Sequence, residues 1–140
     1  MMTTLETCEF IAKIAHKEQV DKSGAPYIDH PLTVAKSVQN EDEKCVALLH
    51  DVLEDSDFTA QDLRDAKIPE QIIEAVETLT HEDGVSYEDY ISNIRQNELA
   101  RKVKISDLTH NMDLSRLNEV TEKDLQRKEK YERAYAELAG

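Results

Sequence analysis

The chain has 140 residues, which suits one domain, and a formal charge of −13 at pH 7. No basic patch offsets that charge, so we expect no nucleic-acid partner, because such a surface repels a phosphate backbone. Only three Gly and three Pro interrupt the chain, Trp is absent, and five Tyr and two Phe are present. That favours helices with a core of Leu, Ile, Val and Ala over a turn-rich all-β fold. No apolar stretch approaches the roughly 20 residues that span a bilayer. Residues 1–6 lack a basic segment ahead of an apolar run, so no leader is expected. Cys8 and Cys45 form no CxxC pair and fall at apolar helical positions, which reads as free buried thiols in a reducing cytoplasm.

The first predicted helix covers 4–19, with Leu5, Cys8, Ile11, Ala12 and Ala15 at helical spacing and Thr3 or Thr4 as its cap. A loop over 20–29 follows, in which Gly24 permits a tight turn. A second helix starts near His30, with Pro31 in its first turn. The third covers 41–54. Thr59 caps a short fourth helix to Asp65, and Pro69 starts a fifth with Ile72, Ile73, Val76 and Leu79 inward. Ser86 caps a sixth, in which Tyr87 and Tyr90 read as core packing. The seventh covers 99–114 and the last begins after Thr121, over 121–138. That last helix has few strongly apolar residues, which leaves loose packing and an oligomer contact both open. There is no sign of a strand, repeat, low-complexity segment or linker. The expected fold is all-α, a single bundle of seven to eight helices over 1–140, with oligomeric state undetermined.

The chemistry concentrates in the third helix. His50-Asp51 and Glu54-Asp55 stand behind the apolar run Val46-Ala47-Leu48-Leu49, interrupted by Val52-Leu53. Charged residues are seldom placed in such a setting unless they are paired or bind a metal. Residues three or four apart share a helix face, which puts Glu54 below both His50 and Asp51, and Asp55 below Asp51. One imidazole and one carboxylate do not hold a metal, so further ligands are expected from His30 on the second helix and Asp107 on the seventh. His30, His50, Asp51 and Asp107 suit a first-row divalent ion, Mn²⁺, Fe²⁺ or Zn²⁺, better than Ca²⁺. Glu54 and Asp55 are then candidates to orient or deprotonate water and to protonate a leaving oxygen. Lys22 and Ser23 in the loop, with Lys104 opposite, are candidates to meet phosphate. His16, His81 and His110 read as surface, capping or satisfied polar residues.

These segments also resemble a family. Ala15-His16 through Lys22-Ser23-Gly24, then Pro26-Tyr27-Ile28-Asp29-His30-Pro31, are followed by residues 47–55, Leu79-Thr80, Lys104-Ile105-Ser106-Asp107 and Asn111-Met112. In that order, over about residues 8–115, they resemble the HD-domain metal-dependent phosphohydrolases. The wording is closest to the RelA/SpoT-type hydrolase domain and its small stand-alone relatives. The resemblance implies an all-helical domain with one Mn²⁺ on His30, His50, Asp51 and Asp107. It implies that Glu54 and Asp55 serve the catalytic water and that Lys22, Ser23 and Asn111 contact a nucleotide. The implied reaction removes the 3′-pyrophosphate of guanosine tetra- or pentaphosphate. The alternative is a nucleotide-sensing or partner-binding module with little turnover. The length leaves no room beside it for a synthetase domain. Two positions depart from the pattern: Asp21 stands where relatives typically carry Arg, and Leu108 where they usually carry another. A carboxylate at position 21 cannot make a cation–π contact with a base.

Overall fold

Short polar side chains start most of the helices. The computed structural model describes residues 1–140 except the side chain of Arg116. Thr3 accepts the Glu6 amide and Glu6 returns to the Thr3 amide, opening α1 (Thr4–Ala15). α2 runs Asp29–Ser37. Asn40 caps α3 (Glu41–Leu49), Thr59 caps α5 (Ala60–Asp65), and Ser86 caps α7 (Tyr87–Arg95). Asn97 caps α8 (Glu98–Met112) and Thr121 caps α9 (Glu122–Ala139). α6 (Glu70–Leu79) begins after Pro69. A 3₁₀ turn, Leu114–Arg116, links α8 to α9. The all-α expectation holds. The single extended contact among the described residues is a bridge between Val20 and Pro26, across the loop that Gly24 turns at φ 87°.

The expected helix over 41–54 is two helices. α3 ends at Leu49, and α4 (Val52–Asp55) starts after two intervening residues, His50 and Asp51. The cause lies in His50. Its Nδ1 takes the Ala47 carbonyl at 2.5 Å, and its own N–H reaches the same oxygen at 3.5 Å. The carbonyl that a continuing helix would offer to residue 51 is thus already engaged. Asp51 then turns at φ −107°, ψ 0°, a conformation common at active sites. The break frees His50 and Asp51 from the fixed angular step of a helix.

α3 is the central element. Cys45, Val46, Ala47, Leu48 and Leu49 are all buried, so it has almost no solvent face after its first turn. α1, α2, α6 and α8 pack around it. α9 packs on α7 and α8 through Ala134 and Leu138, both buried. The helix that had few apolar residues therefore closes the bundle beside α8, and its polar first half faces a cleft. Cys8 and Cys45 are buried free thiols.

Candidate metal centre and adjoining cleft

α2, the α3–α4 break and α8 meet at one point. One donor atom from each of His30, His50 and Asp107 lies within 4.8 Å of the other two, and all three residues are buried. Asp107 Oδ1 is 2.7 Å from His30 Nε2 and 3.3 Å from His50 Nε2. Asp51 Oδ2 is 3.1 Å from His50 Nε2 and accepts the hydroxyl of Tyr27. The four residues expected to converge are therefore adjacent, three as a compact cluster and Asp51 on its edge beside His50.

His50 tests whether this set fits a cation. Its Nδ1–H is committed to the Ala47 carbonyl, which leaves Nε2 as the nitrogen facing the carboxylates. That Nε2 is buried and makes no hydrogen bond, although oxygens of Asp51 and Asp107 lie 3.1 and 3.3 Å away. Neither oxygen lies along a hydrogen-bond direction. His30 Nε2 and Asp107 Oδ1 bond each other, while His50 Nε2 is left facing the same oxygen with no bond of its own, which fits a ligand of an ion shared by the cluster.

The charges are strongly coupled. Burial alone would lower the His50 pKa, but the Asp51 charge and the close approach of the Asp107 and Asp51 carboxylates raise it well above the ordinary histidine value. Burial would raise Asp107, and the Lys104 charge with the two imidazoles pulls it well below the carboxylate range. Asp51 is lowered in the same way by His50, against its burial. Burial, then the Asp51 charge, pushes the Tyr27 hydroxyl up, so it stays a donor. A divalent ion would compete with the proton these carboxylates hold on His50.

Glu54 and Asp55 stand at the exposed rim on α4. Glu54 Oε1 accepts the His81 amide at 2.9 Å, which fixes that carboxylate. Partial burial, then the Asp51 and Glu54 charges, raise the Asp55 pKa. Lys104 lies deeper than expected for a phosphate contact. Its Nζ is 3.0 Å from Asp107 Oδ2 and 5.3 Å from the centre of the Tyr90 ring. Asn111 Nδ2 donates to Asp107 Oδ1 at 3.2 Å.

Beside the metal cluster, a cleft of about 180 Å³ is lined by Lys22, Ser23 and Asn111 together with Arg127, Lys128 and Tyr131 of α9. Lys22 pairs with Asp124, which Thr121 and Arg127 also approach. Asp21 does not face the cleft as a free charge. Its Oδ1 accepts the Ser23 amide at 2.8 Å, the Ser23 hydroxyl at 2.6 Å and the Ala25 amide at 3.0 Å. It therefore shapes the Gly24 turn. Leu108 is fully buried core.

Several residues at the site were assigned no role from the sequence. Tyr27 braces Asp51. His110 lies against His30, with the nitrogens 2.6 Å apart. His16 is buried, bonds Gln19 at 2.7 Å and sits 4.9 Å from the Tyr27 ring. His81 stacks on Tyr90 at 4.5 Å while its amide holds Glu54. His16, at the C-terminus of α1, His81, bonded to the Val85 carbonyl, and His110, bonded to His30, match their reading as capping or hydrogen-bonded polar residues, and they lie next to the site. Arg127, Lys128 and Tyr131 have no motif around them; their helical spacing put them on one face of α9 without saying what that face meets.

The chain matches no family model. It is 32% identical over 117 residues to a guanosine-3′,5′-bis(diphosphate) 3′-pyrophosphohydrolase of Haemophilus influenzae, covering 73% of this chain and 17% of that protein. It is 32% identical over 123 residues to the bifunctional (p)ppGpp synthase/hydrolase SpoT of Escherichia coli, covering 77% of this chain and 17% of that protein. MESH1 of Danio rerio, a protein named for the same pyrophosphohydrolase activity, is 41% identical over 66 residues, 42% of this chain and 37% of its own length. The chain thus spans about a sixth of the length of the first two relatives. A solved structure of a metazoan orthologue of SpoT superposes with a TM-score of 0.79 at 21% identity, over 99% of this chain and 86% of that one. By sequence and by fold, the chain is an HD-type domain of the RelA/SpoT-like kind.

Proposed function

We propose that this chain is a metal-dependent phosphohydrolase that cleaves a phosphoester or pyrophosphate bond of a nucleotide. Guanosine 3′,5′-bis(diphosphate) is the first candidate, with loss of its 3′-pyrophosphate. The observation that carries the reading is His50 Nε2, buried among carboxylate oxygens with no hydrogen bond of its own. Two imidazoles and two carboxylates suit a first-row divalent ion; Mn²⁺ is the ion that the family resemblance implies, with Fe²⁺ or Zn²⁺ as substitutes. The relatives' names support the substrate class. Lys22, Arg127 and Lys128 offset Asp21, Asp113 and Asp124 in the cleft lining, so this patch repels an anionic substrate less than the rest of a chain with net charge −13. The two free thiols suit a reducing cytoplasm, and among the described residues no helix is long and apolar enough to cross a membrane.

A bound divalent ion supplies Lewis acidity, which makes water a nucleophile near neutral pH and polarises the phosphorus centre. His30, His50, Asp51 and Asp107 hold it. Lys22, Ser23, Asn111 and Arg127 take the nucleotide's anionic groups, Lys22 and Arg127 exchanging Asp124 for phosphate. Lys104 acts through Asp107, whose charge it balances. Glu54, held by the His81 amide, accepts the proton of the attacking water. Asp55, whose pKa is raised by partial burial and the neighbouring Asp51 and Glu54 charges, returns a proton to the departing ribose oxygen. One P–O bond forms from water, the P–O bond to the ribose 3′ oxygen breaks, and pyrophosphate leaves.

The test is a panel of nucleotide phosphates with Mn²⁺, including guanosine tetraphosphate, scored for phosphate against pyrophosphate. Glu54→Gln is expected to keep the metal and lose turnover. Turnover by Glu54→Gln at the wild-type rate would sink the assigned base. Tight nucleotide binding with no product from any member would establish the alternative, a sensing module.

A further inference from the structure

His110 meets His30 in a geometry that packing does not require. The two Nδ1 atoms are 2.6 Å apart, the ring centroids 4.9 Å apart, and the planes only 18° from parallel. Face-to-face stacking does not describe this pair. The nitrogen–nitrogen separation, plus the distance from each nitrogen to its own ring centre, accounts for the whole separation of the centroids. Both nitrogens therefore lie on the line joining the rings, and that line runs within both ring planes. An imidazole keeps its N–H bond and its lone pair in that plane. The contact is an edge-to-edge hydrogen bond in which one nitrogen is protonated and the other is not.

We propose that His110 is a positioning residue for the metal centre. It accepts the Nδ1–H of His30 and so keeps His30 Nε2 as a lone pair directed at the shared ion. This rests on the metal reading above. His30 Nε2 lies 2.7 Å from Asp107 Oδ1. An ion held by both displaces any proton between them, and the remaining ring proton of His30 is then on Nδ1, facing His110. His50 shows the same device with a different partner, its Nδ1 on the Ala47 carbonyl at 2.5 Å. One ligand imidazole is oriented by backbone and the other by a side chain. Outer partners of this kind fix the tautomer and orientation of a metal-binding histidine. His110 also lines an open groove of about 720 Å³, with Thr33, Ser37, Ile105, Ser106 and Thr109. Space vacated by its ring is therefore reachable from solvent.

The experiment titrates the full chain with Mn²⁺ in the absence of nucleotide, following the free-ion EPR signal. Wild type is compared with His110→Ala and His110→Gln, with folding checked by circular dichroism. We expect His110→Ala to weaken Mn²⁺ binding by about 10–100-fold. Imidazole added to the buffer should recover most of the loss by entering through the groove. His110→Gln, whose amide oxygen can accept the Nδ1–H, should stay near wild type. A folded His110→Ala with wild-type affinity overturns the proposal, and so does a loss that neither imidazole nor Gln restores. If His110→Ala fails to fold, His110→Gln against His110→Met decides: weaker binding by Met supports the role and equal binding overturns it. A wild-type chain that takes up no Mn²⁺, Fe²⁺ or Zn²⁺ overturns the metal reading itself, and this inference with it.

Discussion

Replacing Asp107 with Ala should damage the fold and the metal site by separable amounts. Asp107 gathers the charges of the centre: Lys104 Nζ at 3.0 Å on Oδ2, and His30, His50 and Asn111 around Oδ1. The Lys104 side chain is 13% exposed and that of Asp107 6%. Removing the carboxylate strands an ammonium group from which water is largely excluded. Breaking a buried pair from one side costs about 3–5 kcal/mol, a large share of the roughly 5–15 kcal/mol that holds a domain together. Burial pulls the Lys104 pKa down, and Asp107 is the first of the groups that bring it back above the ordinary lysine value. Without Asp107 the folded state binds that proton less well than the unfolded chain does. The deficit should therefore shrink as pH rises toward the lysine range. Asp107→Ala/Lys104→Met removes both charges and should recover most of the stability, but not the metal. The assay is urea denaturation with a chelator present, repeated with Mn²⁺. At an ion concentration of 100 Kd, wild type gains about 2.7 kcal/mol and neither variant gains anything. Asp107→Ala as stable as wild type in chelator would refute the buried-pair argument. A double variant that Mn²⁺ still stabilises as it does wild type would refute the ligand assignment.

Other consequences are independent of that centre. Arg127→Ala should raise KM for the nucleotide and leave kcat nearly unchanged, because Arg127 lines the cleft and does not touch the metal cluster; an equal fall in kcat and kcat/KM would contradict a binding role. Lys67, two residues past the end of α5, has φ 67°, in a motif where its amide donates to the Arg64 carbonyl and the Ile68 amide to the Leu63 carbonyl. Lys67→Gly removes the left-handed penalty of about 1–2 kcal/mol and restores some unfolded-state freedom, for a net gain of about 0.5–1 kcal/mol. An unchanged urea midpoint would count against it. Asp124 has its pKa lowered to about 2 by Lys22 and the Thr121 amide. Its contribution is complete above the unfolded value of about 4 and disappears as pH falls through about 2. The stability gap between wild type and Asp124→Asn should accordingly close on acidification over that window; a gap independent of pH would show the carboxylate charge to be irrelevant.

Where the structure agrees with the sequence, the cause is local. Thr59, Ser86 and Thr121 start helices because a side-chain oxygen three residues ahead of a free amide can bond it wherever the rest of the chain lies. The approach of His30, His50, Asp51 and Asp107 was legible from residue type and order, since buried acids and imidazoles need a shared partner. The split after Leu49 was not, because a periodic apolar pattern does not report that the His50 ring takes the Ala47 carbonyl. Nor were the bracing of Asp51 by Tyr27, the His30–His110 bond across 80 residues, or the α9 wall opposite Lys22. Asp21 is the sharpest case. As a letter it removes a base contact, but in the fold its carboxylate is occupied by the amides of its own loop. The sequence by itself determined the all-helical architecture, most helix starts and the set of candidate metal ligands, the starts through interactions confined to a few neighbouring residues. Tertiary packing alone decided which distant side chains orient those groups and line the cleft, because their contacts exist only once separate helices are brought together.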